Sequence, residues 1–159
     1  MIQLMQPKEV FHKFKRRFSN EEKKRPKNKS LEINDAEYCL IIADVELQRD
    51  FREFLNSTGL PDLLGYFDFV LSCGHLRHIS SYEDLTLAVD SLYQRYMRSY
   101  ATEKIQMNDF GAIKRRVESD LGSRTITPFI FDAAMVEAYR KLKQPLARFM
   151  RPYLANHLC

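Results

Sequence analysis

Residues Asp68 to His78 read DFVLSCGHLRH. Whether this stretch is a ligand cluster or one side of a buried helix decides how the chain around it folds. It places Cys73, His75 and His78 within six residues, with two of the chain's four histidines. On a helix, His75 and His78 share a face at i, i+3, but Cys73 and His75 at i, i+2 do not. Structural zinc is usually held by two ligand pairs, and no fourth ligand lies nearby. No metal is therefore expected. A thiol inside an apolar helix is also a poor nucleophile, because burial raises its pKa. The spacing points instead to a core helix, with Phe69 and Cys73 inward at i, i+4 and two imidazoles near its C-terminal dipole.

The flanking sequence has the same helical character. Asn34 or Asp35 can cap a helix with Tyr38, Ile41, Ile42 and Val45 inward. QRDFREFLNS puts Phe51, Phe54 and Leu55 on one face, and Gly59 and Pro61 then break the pattern. Ser80 or Ser81 can cap a further helix whose inward positions are Tyr82, Leu85, Ala88/Val89, Leu92/Tyr93 and Tyr96. Asn108-Asp109 can start another, with Ile113, Val117 and Leu121. Thr127-Pro128 offers a cap and an N1 proline ahead of Phe131, Met135, Ala138 and Leu142. A last short helix, LARFMRPYL, is expected after Pro145. With only 5 Gly and 6 Pro in 159 residues, a turn-rich β fold is disfavoured. The expected fold is all-α, a bundle of about eight or nine short helices.

Charge divides the chain. Residues 1–30 carry ten Lys/Arg against three Asp/Glu, a net of +7; the remainder carries 15 against 18, a net of −3. The domain is therefore read as residues 34–159, behind a basic arm and linker over residues 1–33. Within the arm, Phe11, Phe14 and Phe18 fall on one helical face, interleaved with Lys13, Lys15, Arg16 and Arg17. Two readings stand for it: contact with an anionic membrane or partner, or a helix docked on the domain or a flexible extension. Nucleic acid is not expected, because the body is acidic. Three cysteines with no CxxC point to free thiols in a reducing compartment. No apolar run approaches the roughly 18 residues of a membrane span, and no basic-then-apolar leader opens the chain.

Several pieces, in order, resemble the helical domain of regulators of G-protein signalling (RGS). The family's third helix often reads F-R-x-F-L, and Phe51-Arg52-Glu53-Phe54-Leu55 matches it. Its fourth reads roughly D-F-W-x-A-C-x-x-[FY]-[RK], against Asp68-Phe69-Val70-Leu71-Ser72-Cys73-Gly74-His75-Leu76-Arg77 here. Its last two are similar to Phe131-Asp132-Ala133-Ala134 through Leu142, followed by Arg148-Phe149-Met150. The resemblance spans about Ala36 to Leu158. The axin-type branch is the most similar, through Gly59-Leu60-Pro61-Asp62-Leu63-Leu64 and Gly74-His75-Leu76. Departures are three extra residues between Leu64 and Asp68, and Val70 where the family has tryptophan.

The resemblance implies a module without chemistry or cofactor of its own. RGS domains that stimulate GTP hydrolysis do so by holding the switch regions of a Gα subunit. Carried over residue by residue, the family's Gα contacts are degraded. Its Glu-Asn pair falls at Gly65-Tyr66, its loop asparagine at Gln106 with Asn108 two residues late, and its aspartate at Lys143 or in a one-residue deletion. Only the arginine persists, as Arg148. Axin-type domains instead bind Ser-Ala-Met-Pro (SAMP) repeats of the adenomatous polyposis coli protein (APC), within the β-catenin destruction complex of the Wnt pathway.

That function implies a groove around the family's third to fifth helices, for which Arg52, Asn56, His75, Arg77, Gln94 and Arg95 are the candidates. Each also reads as a solvated surface side chain. The alternative partner is Gα, with Gln106, Asn108 and Arg148 as contacts. A full-length scaffold of this branch would add segments for glycogen synthase kinase and β-catenin, which are not carried to these residues. A cytoplasmic location is implied, with membrane association or nuclear shuttling left open.

Overall fold

A computed structural model describes residues 36–157 of the chain. The basic arm, with Phe11, Phe14, Lys15, Arg16, Arg17 and Phe18, and the Asn34/Asp35 cap lie outside the described residues.

Six α-helices account for the described fold, and no strand occurs among these residues. They are α1 (Ala36–Ala43), α2 (Val45–Ser57), α3 (Leu64–Leu76), α4 (Tyr82–Leu92), α5 (Phe110–Gly122) and α6 (Asp132–His157). A 3₁₀ turn, Pro61–Leu63, leads into α3, and a π-helical stretch, Tyr93–Met97, extends α4. The all-α class is as expected; the count of eight or nine is not.

Local chemistry explains several of the boundaries. The Asp44 carboxylate accepts hydrogen bonds from the backbone N–H groups of Glu46 (2.9 Å) and Leu47 (3.2 Å), so a new helix starts there. Val45 becomes its first residue and is 77% exposed, not inward as the periodicity suggests. At the end of α2, Gly59 takes a positive φ of 76°. Its N–H reaches Asn56 O, and the Leu60 N–H reaches Leu55 O at 2.8 Å, a Schellman closure. The Ser81 hydroxyl accepts from Asp84 N–H and starts α4. Tyr82, expected inward, is 55% exposed, and its hydroxyl donates to Arg124 O at 3.0 Å. The Thr127 hydroxyl accepts from Phe129 N–H, but the turn it makes is isolated and α6 begins only at Asp132.

The lower helix count comes mainly from α6, which runs unbroken through Pro145 and Pro152. A proline inside a helix costs about 3 kcal/mol. Here Leu142, Leu146 and Met150 are buried along one line on both sides of Pro145. Keeping that line on a single axis buries more apolar surface than a break would, at roughly 1.5–3 kcal/mol per large side chain.

Helix α3 is the hub and packs most extensively on α6. Phe67, Phe69, Val70, Leu71, Cys73 and Leu76 are all buried. Two aromatic clusters flank it. Phe51 meets Phe67 edge-on at 4.9 Å and Phe149 at 5.3 Å. Phe69 meets Tyr96 at 5.1 Å and Phe131 at 6.0 Å. Gly74 allows α1 to approach closely, because a Cβ there would come 3.1 Å from Ile42 Cδ1. No helix among the described residues is long and apolar enough to cross a membrane.

Candidate functional site

The opening stretch separates into inside and outside. Cys73 is buried, and burial pushes its thiol pKa well up, with the Asp132 charge adding and Arg77 opposing. It stays protonated and inert. His75 and His78 are exposed, so the thiol and the imidazoles do not face one another.

Two of the six groove candidates, Arg52 and Arg95, are each held by a carboxylate. Arg52, from α2, ion-pairs with Asp68 near the start of α3, and its guanidinium lies 5.2 Å from the Phe67 ring centre. Asn56 follows one turn later on the same side of α2 and is exposed. Arg95, in the π-helical stretch, forms a fork with Glu103: Nε to Oε2 at 3.1 Å and Nη2 to Oε1 at 3.0 Å. Its guanidinium lies 5.0 Å from the Tyr96 ring centre. The Arg95 pKa is raised, first by the hydrogen bond to Glu103 and more weakly by other charges including Asp68, while burial opposes. Gln94, beside Arg95, accepts from Arg98 Nη1 at 2.5 Å.

His75 and Arg77 lie at the other end of α3, about 10 Å further along at 1.5 Å per residue. Arg77 Nη2 donates to Asp132 Oδ1 at 3.3 Å, and its guanidinium lies 5.1 Å from the Phe129 ring centre. This end is a junction between α3 and the start of α6.

The Gα candidates lie elsewhere. Both backbone groups of Gln106 are engaged by the Tyr66 hydroxyl, which donates to its carbonyl (2.8 Å) and accepts from its N–H (2.9 Å). Lys141 Nζ donates to the same hydroxyl at 3.4 Å and sits 4.9 Å from the Tyr66 ring centre. Asn108 is exposed in the same loop, and Arg148 is exposed on α6, two turns beyond Lys141.

Reading by sequence missed Glu103, Tyr66 and Lys141. Each acts through a partner in another element or loop, so no helical period links them. It also missed the Tyr96 hydroxyl, which is fully buried with no protein group bonded to it. Burial pushes the Tyr96 pKa up to about 12, with the Arg95 cation opposing. The neutral phenol is the favoured form, so this contribution to stability is full below the ordinary value near ~10 and is lost as pH rises towards 12. Replacing Tyr96 by Phe removes an unbonded buried hydroxyl and is expected to stabilise the fold by about 1 kcal/mol. Urea denaturation measures this, and a loss of stability would mean that the hydroxyl has a partner.

No family model matches the chain, and no curated protein matches it.

Proposed function

We propose that this chain is a non-catalytic interaction module, an axin-like RGS domain that binds SAMP-type repeats of an APC-related protein in a Wnt-pathway scaffold. The observation that carries the reading is two arginines at the surface, Arg52 and Arg95, with Asn56 one turn beyond Arg52. Each guanidinium is held by a carboxylate and rests against an aromatic ring. A held side chain loses little further rotamer entropy when a peptide arrives. A guanidinium has five N–H donors, and Asp68 and Glu103 use only some of them. The rest can meet peptide carbonyls, which is how polar contacts set the register of an extended segment.

The Gα alternative has less support. The backbone of Gln106, at the family's amide position, is held by Tyr66 with a lysine beside it, and the family's Glu-Asn pair falls at Gly65-Tyr66.

Titration of the domain with a SAMP peptide, and separately with Gα in its aluminium-fluoride state, tests the reading. Saturable peptide binding is expected. Arg52→Gln should weaken it about tenfold or more, the scale of an interface anchor. It should move the melting temperature by at most a few degrees, since a half-exposed ion pair contributes under about 1 kcal/mol. Binding to Gα without binding to the peptide would overturn the proposal.

A further inference from the structure

The outward side of α6 has a charge pattern that peptide binding at α2 and α3 does not use. Arg140, Lys141, Gln144, Arg148 and Arg151 follow one another along one side of the helix, and all are exposed. From Ala138 to His157 the sequence has five basic residues and no acidic one. Glu137, just before this run, pairs with Arg140 at 2.6 Å. Arg148 and Arg151 have no ion-pair partner among the described residues. The stripe runs for about 16 Å from Arg140 to Arg151 at 1.5 Å per residue. At its Lys141 end it adjoins the loop that carries Lys104, through Tyr66 and Gln106, and Lys104 lies 5.2 Å from the Phe110 ring centre.

We propose that this side of α6, through Lys141, Arg148 and Arg151, is a peripheral docking surface for a bilayer rich in anionic phospholipid. The stripe is a line of cations on the outer side of one helix. A line without walls fits a laterally extended array of phosphates better than a single acidic side chain. Half-buried Tyr66 and Phe110 beside the lysines add the aromatic character that suits the headgroup region. The sequence also supplies a second basic element, residues 1–30 with a net charge of +7 and three phenylalanines at helical spacing. Weak cationic contacts to one surface add together, each basic residue strengthening association roughly fivefold.

The experiment is co-sedimentation of the full chain with phosphatidylcholine vesicles, with and without phosphatidylserine. Binding should require phosphatidylserine and weaken with salt. Arg148→Gln with Arg151→Gln should lower it roughly 30-fold, with an unchanged circular-dichroism spectrum. Undiminished binding by this variant would show that other residues carry the contact, and the proposal fails. It also fails if the intact chain ignores phosphatidylserine vesicles. Polyglutamate, tested in parallel, identifies a protein-docking surface if it alone binds and is lost in the variant; that outcome too overturns the proposal.

Discussion

Replacing Phe69 by alanine should destabilise the domain by about 3–5 kcal/mol, the range for removing a fully buried aromatic side chain. Phe69 is buried at the centre of the hub helix α3. Its ring bridges Tyr96 of the π-helical stretch and Phe131 at the entry to α6. Truncation removes the transfer free energy of the ring and two edge-to-face contacts. It also leaves a space that three separate segments would have to move together to fill. Since a domain's stability is about 5–15 kcal/mol, this is a large fraction of the total. The melting temperature should fall by on the order of 10–20 °C. Urea denaturation and calorimetry measure both quantities. Leu87→Ala is the control: Leu87 is 70% exposed on α4, so its loss should be close to neutral. A similar small effect at Phe69 would mean that α3 is not the hub of the core.

Arg77→Ala is expected to cost about 2 kcal/mol, although arginine is usually a dispensable surface residue. Its guanidinium pairs with Asp132, a residue only 9% exposed that opens α6. Removing the cation leaves the carboxylate where water solvates it poorly, and it also removes the stacking on Phe129. Two features keep the cost below the 3–5 kcal/mol of a deeply buried pair. The Arg77 side chain is 31% exposed, and the N-terminus of α6 favours a negative charge at its first residue. Adding Asp132→Asn to Arg77→Ala should recover a substantial part of the loss, giving a coupling of about 1–2 kcal/mol in a double-mutant cycle. Strict additivity would show that the pair contributes nothing. The prediction also separates two roles for Arg77. A groove residue would lower peptide affinity at unchanged stability, whereas a junction residue lowers stability first.

The candidate site was legible in part. Arg52, Asn56, Gln94 and Arg95 fall on polar sides of amphipathic patterns, and the structure leaves them at least partly exposed, with Arg52 paired to Asp68 and Arg95 to Glu103. Asp68 stands in the sequence as part of a motif, and its pairing with Arg52 of α2 is not visible there. Glu103 is eight residues beyond Arg95, past the end of the helical period, and reaches it only because the loop folds back through Glu103 N–H to Arg95 O. Arg77 follows the helix that carries Asp68 but meets a different junction, with Asp132 and Phe129. Spacing along one helix says which residues share a side, not which neighbouring element that side meets.

By itself the sequence determined the features that depend on a few consecutive residues. These are the helical class, a serine cap at Ser80 or Ser81, the Gly59 stop, and the buried lines Phe51/Leu55, Phe69/Cys73 and Phe131/Met135/Ala138/Leu142. Side-chain period, capping hydrogen bonds and positive φ are local properties, so a short window contains their cause. Only the tertiary structure decided that α6 continues through Pro145, that Tyr82 turns outward to Arg124, and that Arg52 meets Asp68 while Arg77 meets Asp132, 55 residues away. The proline is tolerated because both halves of α6 bury one apolar line against the same neighbours. Each ion pair forms because packing of the cores beneath brings two helix sides together. Those outcomes depend on which surfaces are buried against each other, a property of the assembled bundle that no single segment carries.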